Sequence, residues 1–502
     1  TNLIFRLETF CRTTQKKLGM EGVMEAGSLK KAGLDWQHLL GKTLEQEHTY
    51  QPKVQGKVPE RLKGTLYRNG PGRFDRGGIR KNNLLDGDGM IQAFCFEDGK
   101  VTYQNKYVQT EKLLEEVRAG KLINETWTTL APGGFWKNLG PPAIKSQAGI
   151  STVYKNGKLY AFDEVSAPYI LNGTTLETQG QEVIGSGALQ NVKAHTKFDS
   201  QSGDWILFGT SFGKVMTAYI VIQAKDGSIK NEFSVPLPRM AYMHDFFVTE
   251  NYVILNLHPA KVNLLPMMTG RKAFSEALSW EPEKGSLLAI LHKNGDQKPI
   301  YAEAPASWMW HSYNAYEEKG KIIADFIGYD EPDHFLGEEA AFRTIMDGHL
   351  GLANAKGLSR RYEIDPISGK VTEAILDQTS SEFPMILHAV GCHRHTVGYA
   401  TAGNHNAIFH SGLTKYNFET GQSDSFDFGP MVHAGEAVLA SDPEAPQDEN
   451  RGWLLTLCLS GEDGKSFLAI LDASAVSAGP LATVQLEHHT PLSFHGAWRP
   501  LS

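Results

Sequence analysis

WMWHSYNAYEEKGKIIADFIGY, residues 308–329, carries the pattern that decides the fold. Two runs rich in aromatic and β-branched residues flank Lys319-Gly320, a dipeptide suited to tight reversal because glycine accepts the positive φ of such turns. Short runs of the same kind recur at Ala218–Gln223, Tyr252–Leu257, Ser286–Leu291 and Ser466–Asp472. Comparable turn dipeptides stand at Asp98-Gly99, Asn156-Gly157, Ser202-Gly203, Asp226-Gly227, Asn294-Gly295, Ser368-Gly369, Thr420-Gly421 and Asp463-Gly464. Turns spread over the whole length, without regular intervening helices, predict an all-β chain, a propeller or a large sandwich. No blade-length repeat is visible in the sequence.

The 502 residues suffice for one large β domain or for two or three ordinary ones. A net charge of −8 with no basic block argues against a nucleic-acid partner, because phosphate neutralisation needs clustered Lys and Arg. Cys11, Cys95, Cys392 and Cys458 lie far apart with no CxxC pair, which predicts a reduced, intracellular protein. No apolar run approaches the ~18 residues of a membrane-spanning helix, and no signal-peptide pattern is present. Leu3, Leu7 and Phe10 share a helical face near Arg6, Arg12, Lys16 and Lys17, which predicts either a packed terminal helix or an interfacial one. Leu130–Ile144, with Phe135 and Trp136, and Val262–Met268 read equally as membrane-facing loops.

Several common motifs fail. Gly70-Pro71-Gly72 and Gly185-Ser186-Gly187 lack the third glycine of a dinucleotide loop. Asp86-Gly87-Asp88-Gly89 starts like a calcium loop, but Met90 stands where the third oxygen ligand is needed. There is no HExxH and no GxSxG. Among eighteen histidines, four lie in or beside apolar β-like runs: His195 in VKAHTKF, His244 in YMHDFFV, His311 in WMWHSYNAY and His495 in SFHGAW. Their wide separation suits one ligand per inner strand of separate blades. A rival group, His388, His393, His395, His405 and His410, is closely spaced and could bind zinc or simply occupy polar loop ends.

From about residue 60 to the C-terminus the chain resembles the carotenoid cleavage oxygenases, the family of bacterial apocarotenoid oxygenases and plant epoxycarotenoid dioxygenases. The segments that carry the likeness are GTLYRNGPGRF at 64–74, DGDGM at 86–90, AHTKFD from 194, MHDFF at 243, WHSYNAYEE at 310, SEFP at 381, HAGEAV at 433 and FHGAW at 494. The resemblance implies a seven-bladed β-propeller under a helical and loop dome, with residues 46–502 as the oxygenase domain behind an N-terminal helical segment, 1–45. It implies Fe2+ held by His195, His244, His311 and His495. Glu164 would stand behind His244, Glu382 behind His311 and Glu436 behind His495, leaving His195 without a glutamate. Tyr329, Phe383, Trp127 and Leu85 match positions that line the substrate tunnel.

Imidazole suits iron. Glutamates that accept the outer ring N–H fix tautomer and orientation, and supply negative charge in a buried site. Four ligands on a six-coordinate ion leave two adjacent positions for O2 chemistry. The implied activity is cleavage of a conjugated C=C bond of a carotenoid or apocarotenoid by O2, giving two carbonyl products. The substrate would be collected from lipid by an enzyme held peripherally at a membrane, in the cytoplasm or a plastid-like compartment. The chain departs from the family at Asn83 and Leu85, where His-x-Phe is frequent, and at Gly149-Ile150-Ser151, where Asn-Thr-Asn is frequent. Stilbene-cleaving relatives use a Phe, a Tyr and a Lys where this chain carries Leu85, Trp127 and Asp163, which favours an isoprenoid substrate. A retinoid-type isomerase would share the four histidines.

Overall fold

The computed structural model describes residues 34–501 except 190, 350 and 404–408. The amphipathic stretch with Leu3, Leu7 and Phe10 therefore lies outside the described residues, as do Cys11 and His405. Seven antiparallel sheets of four or five strands form a seven-bladed propeller. Four strands of the first blade run outward in the order His495–Pro500, Gly64–Arg73, Asp88–Glu97 and Lys100–Tyr107. The second to sixth blades follow in chain order from Ser151, Lys197, Phe247, Trp308 and Ser381. The seventh begins at Val432–Ser441 and takes Lys53–Gly56 as its outermost strand. Both ends of the propeller sequence thus close the ring, one inside the first blade and the other outside the last.

Apolar content follows depth. Second strands are buried on both faces, as in Tyr252–Leu257 and Lys321–Tyr329, so they read as nearly continuous apolar runs. Outer strands such as Ile229–Pro236 are largely exposed or half-buried. The core is divided into wedges between neighbouring blades; one joins Leu66, Phe94, Leu455 and Ile470 of the first and seventh. The nine turn dipeptides all lie between paired strands. At Asp98-Gly99 both residues adopt positive φ, 50° and 73°, and the flanking pair Glu97–Lys100 closes the hairpin.

Long connections gather at the opposite end and form the dome. The first carries a helix, Glu111–Ala119, started by Thr110, whose Oγ accepts from the Leu113 N–H at 3.1 Å, and ended by Gly120 at φ 66°. The DGDGM segment anchors this connection. Asp86 accepts from the Thr128 N–H at 3.0 Å and from the Thr129 hydroxyl at 2.5 Å, and Asp88 pairs with the buried Lys112 ammonium at 2.7 Å. Gly89 is needed for close approach, since a Cβ there would lie 2.3 Å from the Ala148 carbonyl oxygen. The other long connections contain Leu264–Met268 and Ala341–Thr344.

Candidate metal centre

His195, His244, His311 and His495 converge on the propeller axis, with one ligand-capable atom from each lying within 4.8 Å of the others. His311 and His495 sit on inner strands, whereas His195 and His244 precede the short inner strands Lys197–Phe198 and Phe247–Val248. The expected placement of one ligand on each inner strand therefore holds for two of the four. The others come from the ends of dome connections, where irregular backbone lets the rings turn inward.

The tautomers are set from behind. His244 Nδ1 bonds Glu164, His311 Nδ1 bonds Glu382 at 2.5 Å, and His495 Nδ1 bonds Glu436 at 2.8 Å. The Glu164 and Glu436 carboxylates only accept, and Glu382 Oε2 already accepts the Phe383 N–H, so each Nδ1 carries the proton and each Nε2 turns a lone pair inward. His244 Nε2 lies 3.1 Å from His195 Nε2, and the buried His311 Nε2 has no hydrogen-bond partner among the described residues. Such crowded, inward-facing lone pairs fit a cation, and the three glutamates match the pairing expected from sequence. His195 has no glutamate partner among the described residues. Burial, reinforced by the neighbouring rings, holds the His195 and His311 imidazoles well below their usual pKa, so both are neutral ligands.

The three glutamates differ in their own support. Lys193 Nζ donates to Glu164 at 2.8 Å, and Arg68 Nη1 donates to Glu436 at 2.7 Å. Burial raises both carboxyl pKa values, but Lys193 and His244 outweigh it at Glu164, and His495 and Arg68 at Glu436. Glu382 has no lysine or arginine at ion-pair distance among the described residues, and burial pushes its carboxyl up to about 8. Sequence reading missed Arg68 and Lys193, although Arg68 lies within GTLYRNGPGRF and Lys193 stands two residues before His195.

Above the histidines lies a narrow apolar cavity, with about 70 Å³ open to the centre of a water molecule. Leu85, Trp127, Tyr329 and Phe383 all line it, as expected, together with Tyr242, Trp310, Phe335, Phe342 and Phe409. Phe383 stacks on His311 with ring centres 5.2 Å apart, and its φ of 52° is a left-handed conformation costly for a bulky residue. Ile150, at the altered Asn-Thr-Asn position, is also in the wall. Asp163 is a loop anchor, accepting from the N–H groups of Gln147 at 2.8 Å and Val165 at 3.0 Å.

The described members of the rival histidine group do not converge. His393 bonds Asp199 at 3.0 Å, His395 lies 3.2 Å from Asp325, and His410 contacts Thr401 at 2.9 Å. Among the described residues, the single group of three or more His, Cys, Asp or Glu side chains placed to hold a metal is the axial quartet.

Residues 41–500 match the family described as RPE65, retinal pigment epithelial membrane protein. The apocarotenoid-15,15′-oxygenase of Synechocystis is 30% identical over 466 residues, covering 89% of this chain and 92% of its own. The isoeugenol monooxygenase of Pseudomonas nitroreducens is 30% identical over 476 residues, covering 89% and 94%. The crystal structure of cobalt-substituted Synechocystis apocarotenoid oxygenase superposes with a TM-score of 0.86 at 28% identity, covering 93% of this chain and 99% of that one. Fold, inward-facing histidines and a match along nearly the whole described chain agree: this protein belongs to the RPE65 family of carotenoid cleavage oxygenases.

Proposed function

We propose that this chain is an iron(II)-dependent oxygenase that uses O2 to split a conjugated C=C bond of a carotenoid or apocarotenoid into two carbonyl fragments. The observation that carries the reading is the convergence of four imidazoles, three of which line an aromatic cavity. When bound there by His195, His244, His311 and His495, Fe2+ would supply the activation of O2.

The chain's own residues bind, orient and keep the site dry. Glu164, Glu382 and Glu436 hold the Nδ1 protons of three imidazoles and so keep the rings aimed at the axis. Phe383 and Tyr329 form the wall nearest His311 and Glu382, while Trp127 and Leu85 close the dome side. These flat apolar surfaces place one double bond over the axis and exclude water, work that needs no protein acid or base. Asp163, already spent on backbone N–H groups, puts no cation where a phenolate would lie.

Such a substrate partitions into lipid, so the reading includes peripheral membrane contact. Phe135, Trp136 (83% exposed), Leu139, Leu265 and Met268 are exposed large apolar side chains on the two segments singled out from sequence. The Gly140 N–H donates to the Met268 carbonyl at 2.9 Å, which joins the segments into one surface. Leu264 and Met267 pack in the same cluster as Trp127 and Tyr329, so the inner side of this surface adjoins the cavity wall. No described helix is long and apolar enough to cross a membrane.

The test is anaerobic Fe2+ loading, then exposure to O2 with an apocarotenal, a hydroxystilbene or a retinyl ester, and mass analysis of products. Two carbonyl fragments from the apocarotenal are expected. Cleavage of the stilbene alone, or intact isomers, would overturn the reading.

A further inference from the structure

One buried polar atom in the cavity wall is not accounted for by the metal site. His334 is 2% exposed and lines the cavity, yet it lies in the connection between the second and third strands of the fifth blade, away from the histidine quartet. Trp310 Nε1 lies 2.6 Å from His334 Nε2. An indole N–H can only donate, so His334 Nε2 must be the bare nitrogen and Nδ1 must carry the proton. That Nδ1–H is buried and has no partner among the described residues. Around it stand the rings of Tyr329, at 4.6 Å between centres, and Phe342, at 5.6 Å. Burial lowers the His334 pKa to about 3, so the ring stays neutral. A buried donor left without an acceptor is destabilising, and a ligand oxygen would remove that cost.

We propose that His334 is the polar reader of the substrate: its Nδ1–H donates to a carbonyl, ether or hydroxyl oxygen, so the cavity selects an oxygenated conjugated alkene over the matching hydrocarbon. The inference rests on the oxygenase reading above and adds the end group that the cavity recognises. Its position limits the substrate's geometry. The Trp310 ring centre is 5.1 Å from that of His244 and 6.1 Å from that of His334, so one indole adjoins both the reader and the histidine quartet. The oxygen and the scissile double bond would then be separate points of the ligand, both lying against Trp310. A terminal aldehyde of a shortened polyene and the ring oxygen of an alkenylphenol both have this character, and they form the two arms of the test.

The experiment uses two matched pairs, an apocarotenal with its hydrocarbon polyene and an alkenylphenol with its alkenylbenzene. Binding to the metal-free protein is followed by tryptophan fluorescence, and kcat and KM by turnover of the Fe2+-loaded enzyme. His334→Gln keeps an acceptor near the Nε2 position for Trp310 but removes the donor at Nδ1, whereas His334→Asn keeps a donor near Nδ1. Wild type should bind the oxygenated member of at least one pair about 10-fold or more tightly. His334→Gln should lose this preference, with KM raised about 10-fold and kcat within about twofold, and His334→Asn should regain much of it. Preference surviving in His334→Gln, or no preference in wild type while both members are cleaved, overturns the reader and leaves the oxygenase standing. His334-dependent preference in binding without any cleavage keeps the reader and sinks the oxygenase reading.

Discussion

Arg68 Nη1 lies 2.7 Å from Glu436 Oε2, a fully buried ion pair joining residues 368 apart in sequence. Arg68 comes from the second strand of the first blade and Glu436 from the inner strand of the seventh. The other oxygen of Glu436 holds His495 Nδ1 at 2.8 Å, on the strand that closes the ring. Ring closure and ligand orientation are therefore one network. Arg68 also donates to the Phe494 carbonyl at 3.0 Å, fixing the residue just before the histidine.

Removing the guanidinium leaves Glu436 buried without its cation. Arg68→Met is expected to cost about 3–5 kcal/mol of stability and to weaken metal binding about 10-fold or more. Denaturant titration and competitive Fe2+ chelation measure the two separately. Unchanged values in both would show that Glu436 does not depend on Arg68.

The two histidine groups should separate cleanly in metal content. His311→Ala removes a lone pair from the axial quartet and should reduce bound iron to a small fraction of the wild-type amount. His393→Ala, which only loses the contact with Asp199, should retain the full amount. Elemental analysis after anaerobic loading decides, and equal retention in the two variants would count against the axial site.

Trp136→Ser combined with Leu265→Ser should weaken binding to lipid vesicles several-fold, because both side chains are among the most exposed apolar groups of the dome. Turnover of detergent-dispersed substrate should change by less than about twofold. Vesicle co-sedimentation unaffected by the pair would move the lipid contact elsewhere.

Asp199 gives a pH-dependent contribution to stability on the face opposite the dome. Burial would raise its carboxyl pKa, but the hydrogen bond with His393 and the charge of Lys293 at 3.2 Å outweigh it and hold the group at about 2, below its ordinary 3.8. The folded value is the lower one, so the stabilisation is complete above the unfolded pKa and disappears as pH falls through about 2. Asp199→Asn should therefore lower the melting temperature at about pH 6 and make little difference near pH 2. An equal deficit at both pH values would assign the effect to packing.

Local chemistry was legible where a single residue type satisfies a local demand. Asp98-Gly99 and Lys319-Gly320 announce hairpins because both positions take positive φ, and the structure places both in tight turns. Continuous runs such as Tyr252–Leu257 announce strands because both faces are covered. The histidine quartet was legible only as a set, on the strength of the family resemblance. Its supporting cations were not, because what pairs Arg68 with Glu436 is the meeting of first and last blades, which leaves no local trace. His334 was silent for a similar reason: its meaning depends on which side of the ring Trp310 occupies. The calcium-loop likeness of Asp86 and Asp88 already fails in sequence at Met90, and the structure engages Asp86 with threonines and Asp88 Oδ1 with a lysine of the dome.

The closure of the ring has a consequence for biosynthesis. His495 and the strand it opens follow every other propeller strand in the chain, yet they pair inside the first blade, beside the inner strand of the seventh. A nascent chain stalled or clipped before that point lacks both the clasp and one corner of the quartet. Such copies hold only three of the four convergent imidazoles, so the closing strand completes the ring and the quartet together.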